Sequence, residues 1–303
     1  MLPDKLSTRL TEIYEKANRR TGGVLGIIRQ TVESFIKERS DEAAASIAYY
    51  TVFSIIPLLL LLTSLLGFVL NNSSALDQVL NLVSGIFPYA RQPVENLLTT
   101  MVENRTSTGL IGLVALVFGA SGVFLGLTRN INRAWAGARP RNLVFTYLLS
   151  LGTIGVIALL LIGWVIMTTL ANLLIQLNLL GLQDIAFLQS TTWVLVSYLV
   201  WVFVFILFLF LYRWVPNIRV KWSEAFWGAL AVTLGLLIVS KVFSWFLSSG
   251  FSTYETLYGA LGTALAILTW VYISSIIILV GAHLSAAVAR FKRPEDFITN
   301  ETS

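Results

Sequence analysis

Six long apolar runs constrain this chain more than any other feature of its sequence. They cover residues 46–70, 109–128, 144–172, 193–212, 223–247 and 258–289. Each run reaches about the 20 residues that a helix needs to cross the roughly 30 Å hydrocarbon core of a bilayer. The composition agrees, because 56% of the residues are hydrophobic and only 12% are charged. The sequence therefore predicts an all-α, polytopic membrane protein with six transmembrane helices.

The basic residues are concentrated on alternate connections between these runs. Eight lie in 1–45, four in 129–143, three in 213–222 and three in the tail from Arg290, whereas the other three connections together carry two. The positive-inside rule predicts this distribution when both termini are cytoplasmic. The predicted organisation is a cytoplasmic segment 1–45, a transmembrane domain 46–289 and a cytoplasmic tail 290–303.

The same orientation explains the net charge of +5. A nucleic-acid partner would need the charge clustered on one soluble face, so we expect membrane lipids and no nucleic acid as partners. The chain has no cysteine, which excludes disulfides and thiolate metal sites, and we expect no cofactor and no metal. The first 40 residues are polar and charged, so we expect no cleavable signal peptide and a first span that acts as the insertion signal.

Residues 24–39 have the period of an amphipathic helix. Its apolar positions recur at three- and four-residue spacing and comprise Val24, Ile27, Ile28, Thr31, Val32, Phe35 and Ile36. Such a helix can lie flat on the cytoplasmic interface. It can equally pack on the cytoplasmic loops of the protein itself, and the pattern fits both positions.

The long connection 71–108 contains two further amphipathic stripes, which Pro88 and Pro93 separate. Each stripe is too short and too polar to span a bilayer, so we expect a pair of interfacial or re-entrant helices that caps the outer face. This cap is a candidate contact for a periplasmic envelope partner.

Lys241 is the one basic residue inside a predicted span. A charge within hydrocarbon is costly unless it has a function or a partner. Lys241 could therefore line a polar cavity, bind an anionic headgroup or pair with Glu255. Alternatively, its long side chain could snorkel to the outer interface.

Other polar or small residues in the spans complete the candidate substrate pathway. They are Tyr49, Ser54 and Pro57 in the first span, and Tyr258, Gly259 and Gly262 in the sixth. Pro57 frees a backbone carbonyl and predicts a kink. Gly122 and Gly126 in the second span, like Gly259 and Gly262, have the spacing that permits close helix–helix contact.

Two sets of residues on the predicted cytoplasmic side each have a functional explanation and a structural one. His283, the only histidine, could relay protons, or it could be an interfacial residue that donates to a carbonyl. Arg129, Asn132 and Arg133 could grip a headgroup phosphate, although the orientation rule also explains the arginines. The sequence contains no nucleophile elbow, phosphate loop, His/Glu cluster or paired carboxylates, so we expect no enzyme.

Several stretches in order resemble the YihY/BrkB family of bacterial inner-membrane proteins. They are residues 45–57, Asn132-Arg133-Ala134-Trp135, Tyr212-Arg213-Trp214-Val215-Pro216 with Trp222 and Gly228, and Tyr258-Gly259-Ala260-Leu261-Gly262 through Trp270-Val271-Tyr272 to Gly281-Ala282. The resemblance covers about residues 30–290. It implies six membrane helices in a bacterial plasma membrane and a link to export of lipids or envelope precursors. The family usually has Gly-Ala-Glu-x-Asn where this chain has Gly281-Ala282-His283-Leu284-Ser285, which weakens any proton-coupling role carried over from that glutamate.

Our leading hypothesis is a transporter-like protein that moves or presents an amphipathic lipid or envelope precursor. A cation/proton exchanger is the first alternative, although it needs membrane-embedded carboxylates, and Glu224 and Glu255 lie only at span ends. A non-transporting scaffold of an envelope complex is the second. A ribonuclease, an old label of the family, lacks a catalytic set here. Substrate, direction, energy source and oligomeric state stay open.

Overall fold

A computed structural model describes residues 15–16, 18–54, 121–135, 137–138, 145 and 201–295, except for the side chains of 247–261 and 263. The regular segments in this part of the chain are helical, and it contains no strand. The all-α fold class is thus confirmed for these residues. The cap 71–108, the third predicted span apart from residue 145, and Pro57 lie outside them, and the six-span topology stays a prediction.

Five helical segments position the candidate functional residues. They are α1 (Val24–Lys37), α2 (40–54), α3 (121–133), α4 (Trp201–Trp214) and α5 (Trp222–Lys292). α1 begins after Gly23, whose positive φ of 89° suits a residue without a Cβ atom. The amphipathic helix predicted over 24–39 is confirmed. Pro216 and Pro294 flank α5 and no proline lies between them, so nothing in 217–293 breaks helical hydrogen bonding as proline does.

α5 folds back on itself. As a straight helix, its rise of about 1.5 Å per residue would separate Glu224 from Arg293 by roughly 100 Å. Instead their side chains form an ion pair of 2.9 Å, and the ring centroids of Phe243 and Trp270 lie 6.5 Å apart. The chain must therefore reverse direction between two antiparallel arms. The first arm is Trp222–Phe246 and the second arm is Ala264–Lys292.

Each arm is long and apolar enough to cross a membrane. The arms match the fifth and sixth predicted spans over the side chains that the structure describes. The sequence indicated a separate connection at 248–257, whereas the structure keeps residues 247–263 helical in their local backbone.

The chain divides into two compact units. Unit 1 comprises Met1–Asp41, Thr128–Leu237 and Ile277–Ser303. Its largest fully buried side chains include Trp135, Tyr212 and His283. Unit 2 comprises Glu42–Leu127 and Ile238–Ile276.

In unit 2, α2 packs closely on α3. The ring of Tyr50 lies against Gly122, where an added Cβ would come within 2.6 Å of it, and Ile47 lies against Gly126. The prediction that these two glycines sit at a helix–helix contact is confirmed. Both allow the helices to approach more closely than larger side chains would.

Candidate functional site

A buried ion pair joins the ends of the two arms in unit 1. The Arg293 guanidinium donates from Nε to Glu224 Oε1 at 3.0 Å and from Nη2 to Oε2 at 2.9 Å. The Lys221 backbone N–H also donates to Oε2, at 2.8 Å. Glu224 is 0% exposed, so its charge depends on these partners rather than on water. The two-pronged geometry is the strong form of an arginine–carboxylate contact.

Further hydrogen bonds hold the same end together. Ser285 Oγ donates to the Glu224 carbonyl oxygen at 2.9 Å, and Arg293 Nη2 donates to the Arg219 carbonyl oxygen at 3.3 Å. We call Glu224, Arg293 and Ser285 the arm-end cluster. It fixes the register of the two arms and the loop that precedes the first arm.

One turn further along, the arms cross at two glycines. A Cβ atom on Gly228 would lie 2.5 Å from the Gly281 carbonyl oxygen, and one on Gly281 would lie 3.0 Å from the Gly228 carbonyl oxygen. Tyr212 fills the adjoining space and donates from its hydroxyl to the Ile278 carbonyl oxygen at 2.6 Å. The arms can approach this closely only because neither position carries a side chain.

His283 is buried between α1 and the second arm. Ser34 Oγ lies 2.9 Å from Nδ1, and Ser40 Oγ lies 2.8 Å from Nε2. The Phe35 ring meets the imidazole edge-on, with a centroid distance of 5.7 Å. We call these four residues the histidine clasp. Both ring nitrogens have hydroxyl partners, as in a histidine that positions other elements.

The three predicted headgroup residues have different surroundings in unit 1. Asn132 Oδ1 accepts from the Asn217 backbone N–H at 2.8 Å and so positions the loop after α4. Arg129 and Arg133 are exposed. Because they lie four residues apart on α3, their side chains project from the same side of the helix.

Lys241 lies on an exposed apolar side of the first arm, in unit 2. Ile238, Val242 and Trp245 occupy the same helical face and are themselves exposed. Among the described side chains, Lys241 has no hydrogen bond or ion pair, and the Glu255 side chain lies outside them. A lysine amid exposed apolar residues fits contact with lipid better than the lining of an enclosed cavity.

The other pathway candidates are only partly described. Tyr49 is exposed and its ring packs on Phe53, whereas Ser54 donates to the Tyr50 carbonyl oxygen at 2.6 Å. Gly262 is buried. The side chain of Tyr258, the surroundings of Gly259 and the whole of Pro57 lie outside the description. No hydrogen bond or ring contact joins Lys241 to Tyr49 or Ser54 among the described side chains.

Sequence reasoning did not identify the pairing of Glu224 with Arg293, nor the two serine partners of His283. From the sequence, Arg293 was assigned only to the basic residues that set the membrane orientation. The available clue was the distance in sequence from the centre of the hairpin, because Glu224 and Arg293 lie almost equally far from about residue 258, as antiparallel partners must. No comparable clue exists for Ser34 and Ser40, which precede the histidine by more than 240 positions.

The charges of the described residues are unevenly divided between the units. Unit 1 holds fourteen Lys and Arg residues against six Asp and Glu residues, whereas Lys241 is the sole basic residue in the described part of unit 2. No group of three or more His, Asp or Glu side chains within the described ranges could hold a metal ion. The arrangement can bind anionic groups through arginine and lysine.

Comparison with known proteins identifies a family and several relatives of this chain. The profile of the family described as "Virulence factor BrkB" matches residues 31–302. UPF0761 membrane proteins of Xanthomonas campestris pv. campestris, Xanthomonas axonopodis pv. citri and Xanthomonas oryzae pv. oryzae are each 30% identical to it over 268 residues.

The match covers 86% of this chain in each case, and the chain spans about 60% of the relatives' own length. No solved structure matches.

Proposed function

This chain belongs to the BrkB virulence factor family of membrane proteins, and we propose that it is a transporter-like member that handles an amphipathic lipid or envelope precursor. The observation that carries the proposal is the surface around Lys241, where one cation lies among exposed apolar side chains. An amphipathic lipid is the complement of such a surface, because it has an anionic head and apolar tails.

The position of Lys241 along the first arm supports a headgroup contact. It follows Trp222 by 19 residues, which is about 28 Å of helix and close to the roughly 30 Å thickness of the hydrocarbon core. The ammonium therefore lies near the membrane interface at the far end of the arm from Glu224. Trp245, one turn further on, is a residue type enriched at such interfaces.

The state of Glu224 favours lipid handling over cation/proton exchange. An exchanger needs a carboxylate that can release its bound cation and accept another. Both Glu224 oxygens are already engaged by Arg293, and Oε2 also accepts from the Lys221 backbone. Release of this carboxylate would first require the arm-end cluster to open.

The proposal includes a location in the bacterial plasma membrane, with both termini cytoplasmic and with no catalysis. The concentration of basic residues in unit 1 supports this orientation, because cytoplasmic segments carry the excess of Lys and Arg.

The test is transbilayer movement of a labelled phospholipid in liposomes that contain the purified protein. We expect faster movement than in empty liposomes, and slower movement with Lys241→Ala. Lys292→Ala is the matched control, since Lys292 is an exposed lysine at the end of the second arm and should leave the rate unchanged. A rate equal to that of empty liposomes would contradict the proposal.

Two further measurements separate the alternatives. Dye-monitored proton flux under a sodium gradient would instead indicate exchange. Crosslinking of residues 71–108 to a periplasmic protein, together with the absence of any flux, would indicate a scaffold.

A further inference from the structure

α1 exposes an apolar stripe that borders the residues packed against the protein. Val24, Ile28 and Val32 are each 51% exposed and Ile36 is 67% exposed. These four residues follow one another at four-residue spacing, so they form a continuous strip along the helix. We call them the α1 stripe.

The residues of α1 that pack against the protein adjoin the stripe. Thr31 is buried, Ser34 bonds to His283, and Phe35 meets the same imidazole. At the start of the helix the Phe291 ring lies directly against Gly23. The stripe is therefore not the core-facing side of α1, and its exposure is not explained by packing within unit 1.

α1 lies alongside the end of the second arm. This arm ends at Lys292 after an apolar stretch that is long enough to cross the hydrocarbon core. α1 contacts the arm at His283 and Phe291, near its basic end. The basic residues Arg290, Lys292 and Arg293 end the arm, as expected for a helix that leaves hydrocarbon at an anionic surface.

We propose that α1 docks through its stripe on the interface of an anionic bilayer, in an orientation that the histidine clasp fixes. Amphipathic helices bury their apolar side about 5–10 Å into the boundary between headgroups and acyl chains. The surplus of basic residues in unit 1 provides attraction to anionic headgroups. The docking does not depend on transport and so goes beyond the proposed function.

The absence of cysteine from the chain allows a direct test by spin labelling. Single labels are placed at Val32→Cys and Ile36→Cys of the full-length protein, with Lys37→Cys as the matched control on the charged side of α1. The protein is reconstituted in phosphatidylcholine vesicles with and without phosphatidylglycerol. Collision rates with oxygen report lipid, and those with a water-soluble nickel chelate report water.

We expect the two stripe labels to favour oxygen over the nickel chelate several-fold more than the Lys37 label does, and to do so more strongly with phosphatidylglycerol. Equal nickel accessibility at Ile36 and Lys37 would overturn the docking. Protection of the stripe from both reagents would also overturn it, because a protein partner or a second copy would then cover α1. An equal preference in both vesicle types would refute the requirement for anionic lipid.

The role of the clasp is tested with the same labels in a Ser34→Ala, Ser40→Ala background. Removal of both hydroxyls should reduce the oxygen preference at Ile36 to near that at Lys37. Ser275→Ala is the control, since Ser275 Oγ bonds only the Val271 carbonyl of its own helix at 2.8 Å. An unchanged preference in the double variant would show that the clasp does not orient α1.

Discussion

The Glu224 carboxylate shows how a buried charge can be tolerated at the end of a membrane helix. Desolvation of an ion pair costs several kcal/mol, which the attraction offsets only when the geometry is good and the remaining lone pairs are engaged. Here Arg293 contacts both carboxylate oxygens and a backbone N–H adds a third hydrogen bond. Removal of the Glu224 charge leaves the Arg293 guanidinium, whose side chain is 19% exposed, without its carboxylate partner.

Glu224→Gln should therefore destabilise the protein by about 1–3 kcal/mol. Unfolding followed through intrinsic tryptophan fluorescence in detergent micelles measures the change, provided that the transition is reversible. Glu33→Gln is the control, because its ion pair with Arg29 is exposed on α1 and such a pair contributes less than about 1 kcal/mol. Equal losses for both variants would show that the arm-end ion pair is not structurally important.

Sequence reasoning could identify unusual residues but not their neighbours. Lys241 stands out in any sequence of this kind, because a charge within an apolar run is rare. Whether its side chain meets lipid or a cavity depends on which face of the arm is packed, and the sequence does not contain that information. His283 was equally visible, yet its hydrogen bonds come from serines 243 and 249 positions away.

At the scale of helices, the crossing of the two arms depends on Gly228 and Gly281. Gly281→Ala should destabilise the protein by about 1–3 kcal/mol, because the new methyl group meets the Gly228 carbonyl oxygen and Val232. Gly235→Ala should cost less, since its methyl group meets only side-chain atoms of Ile277 and no backbone atom, and alanine favours helix. The same fluorescence measurement compares the two variants. A larger loss for Gly235→Ala would contradict the crossing.

His283→Ala should release α1 while leaving the arms paired. Two hydrogen bonds at roughly 0.5–1.5 kcal/mol each are lost, which corresponds to an increase on the order of tenfold or more in the opening of α1. Hydrogen exchange of residues 24–37, measured by mass spectrometry, should rise accordingly, and that of residues 222–237 should not. Thr233→Ala, which removes a buried hydroxyl bonded within its own helix, is the control. Unchanged exchange in α1 would refute the clasp.

The existence of α1 was predictable, but the use of its apolar residues was not. Periodicity groups Val24, Ile28 and Val32 with Ile27, Thr31 and Phe35 on one side of the helix. The structure divides this side, because Thr31 is buried and Phe35 meets His283 of the second arm, whereas the α1 stripe stays exposed. A hydrophobic period indicates that one side of a helix is removed from water, and contact with either protein or lipid achieves this.

For the whole molecule, the distribution of charge connects the fold with the predicted orientation. The basic residues that alternate along the sequence come together in unit 1, where some are used structurally. Arg293 binds Glu224, and Arg290 donates to the Ala134 carbonyl oxygen at 2.8 Å. The same residues can therefore act as orientation signals during insertion and as structural contacts after folding.

Labelling of single cysteines in intact cells tests this orientation, because the natural chain offers no competing thiol. We expect a membrane-impermeant maleimide to label Ser74→Cys, in the predicted outer connection, without permeabilisation of the plasma membrane. Lys292→Cys is exposed at the end of the second arm and should react only after permeabilisation. Reaction of Lys292→Cys in intact cells would contradict this orientation and indicate the reverse one. In the reverse orientation the basic surface of unit 1 would lie at the outer leaflet, and the attraction to the anionic lipids of the cytoplasmic leaflet would be lost.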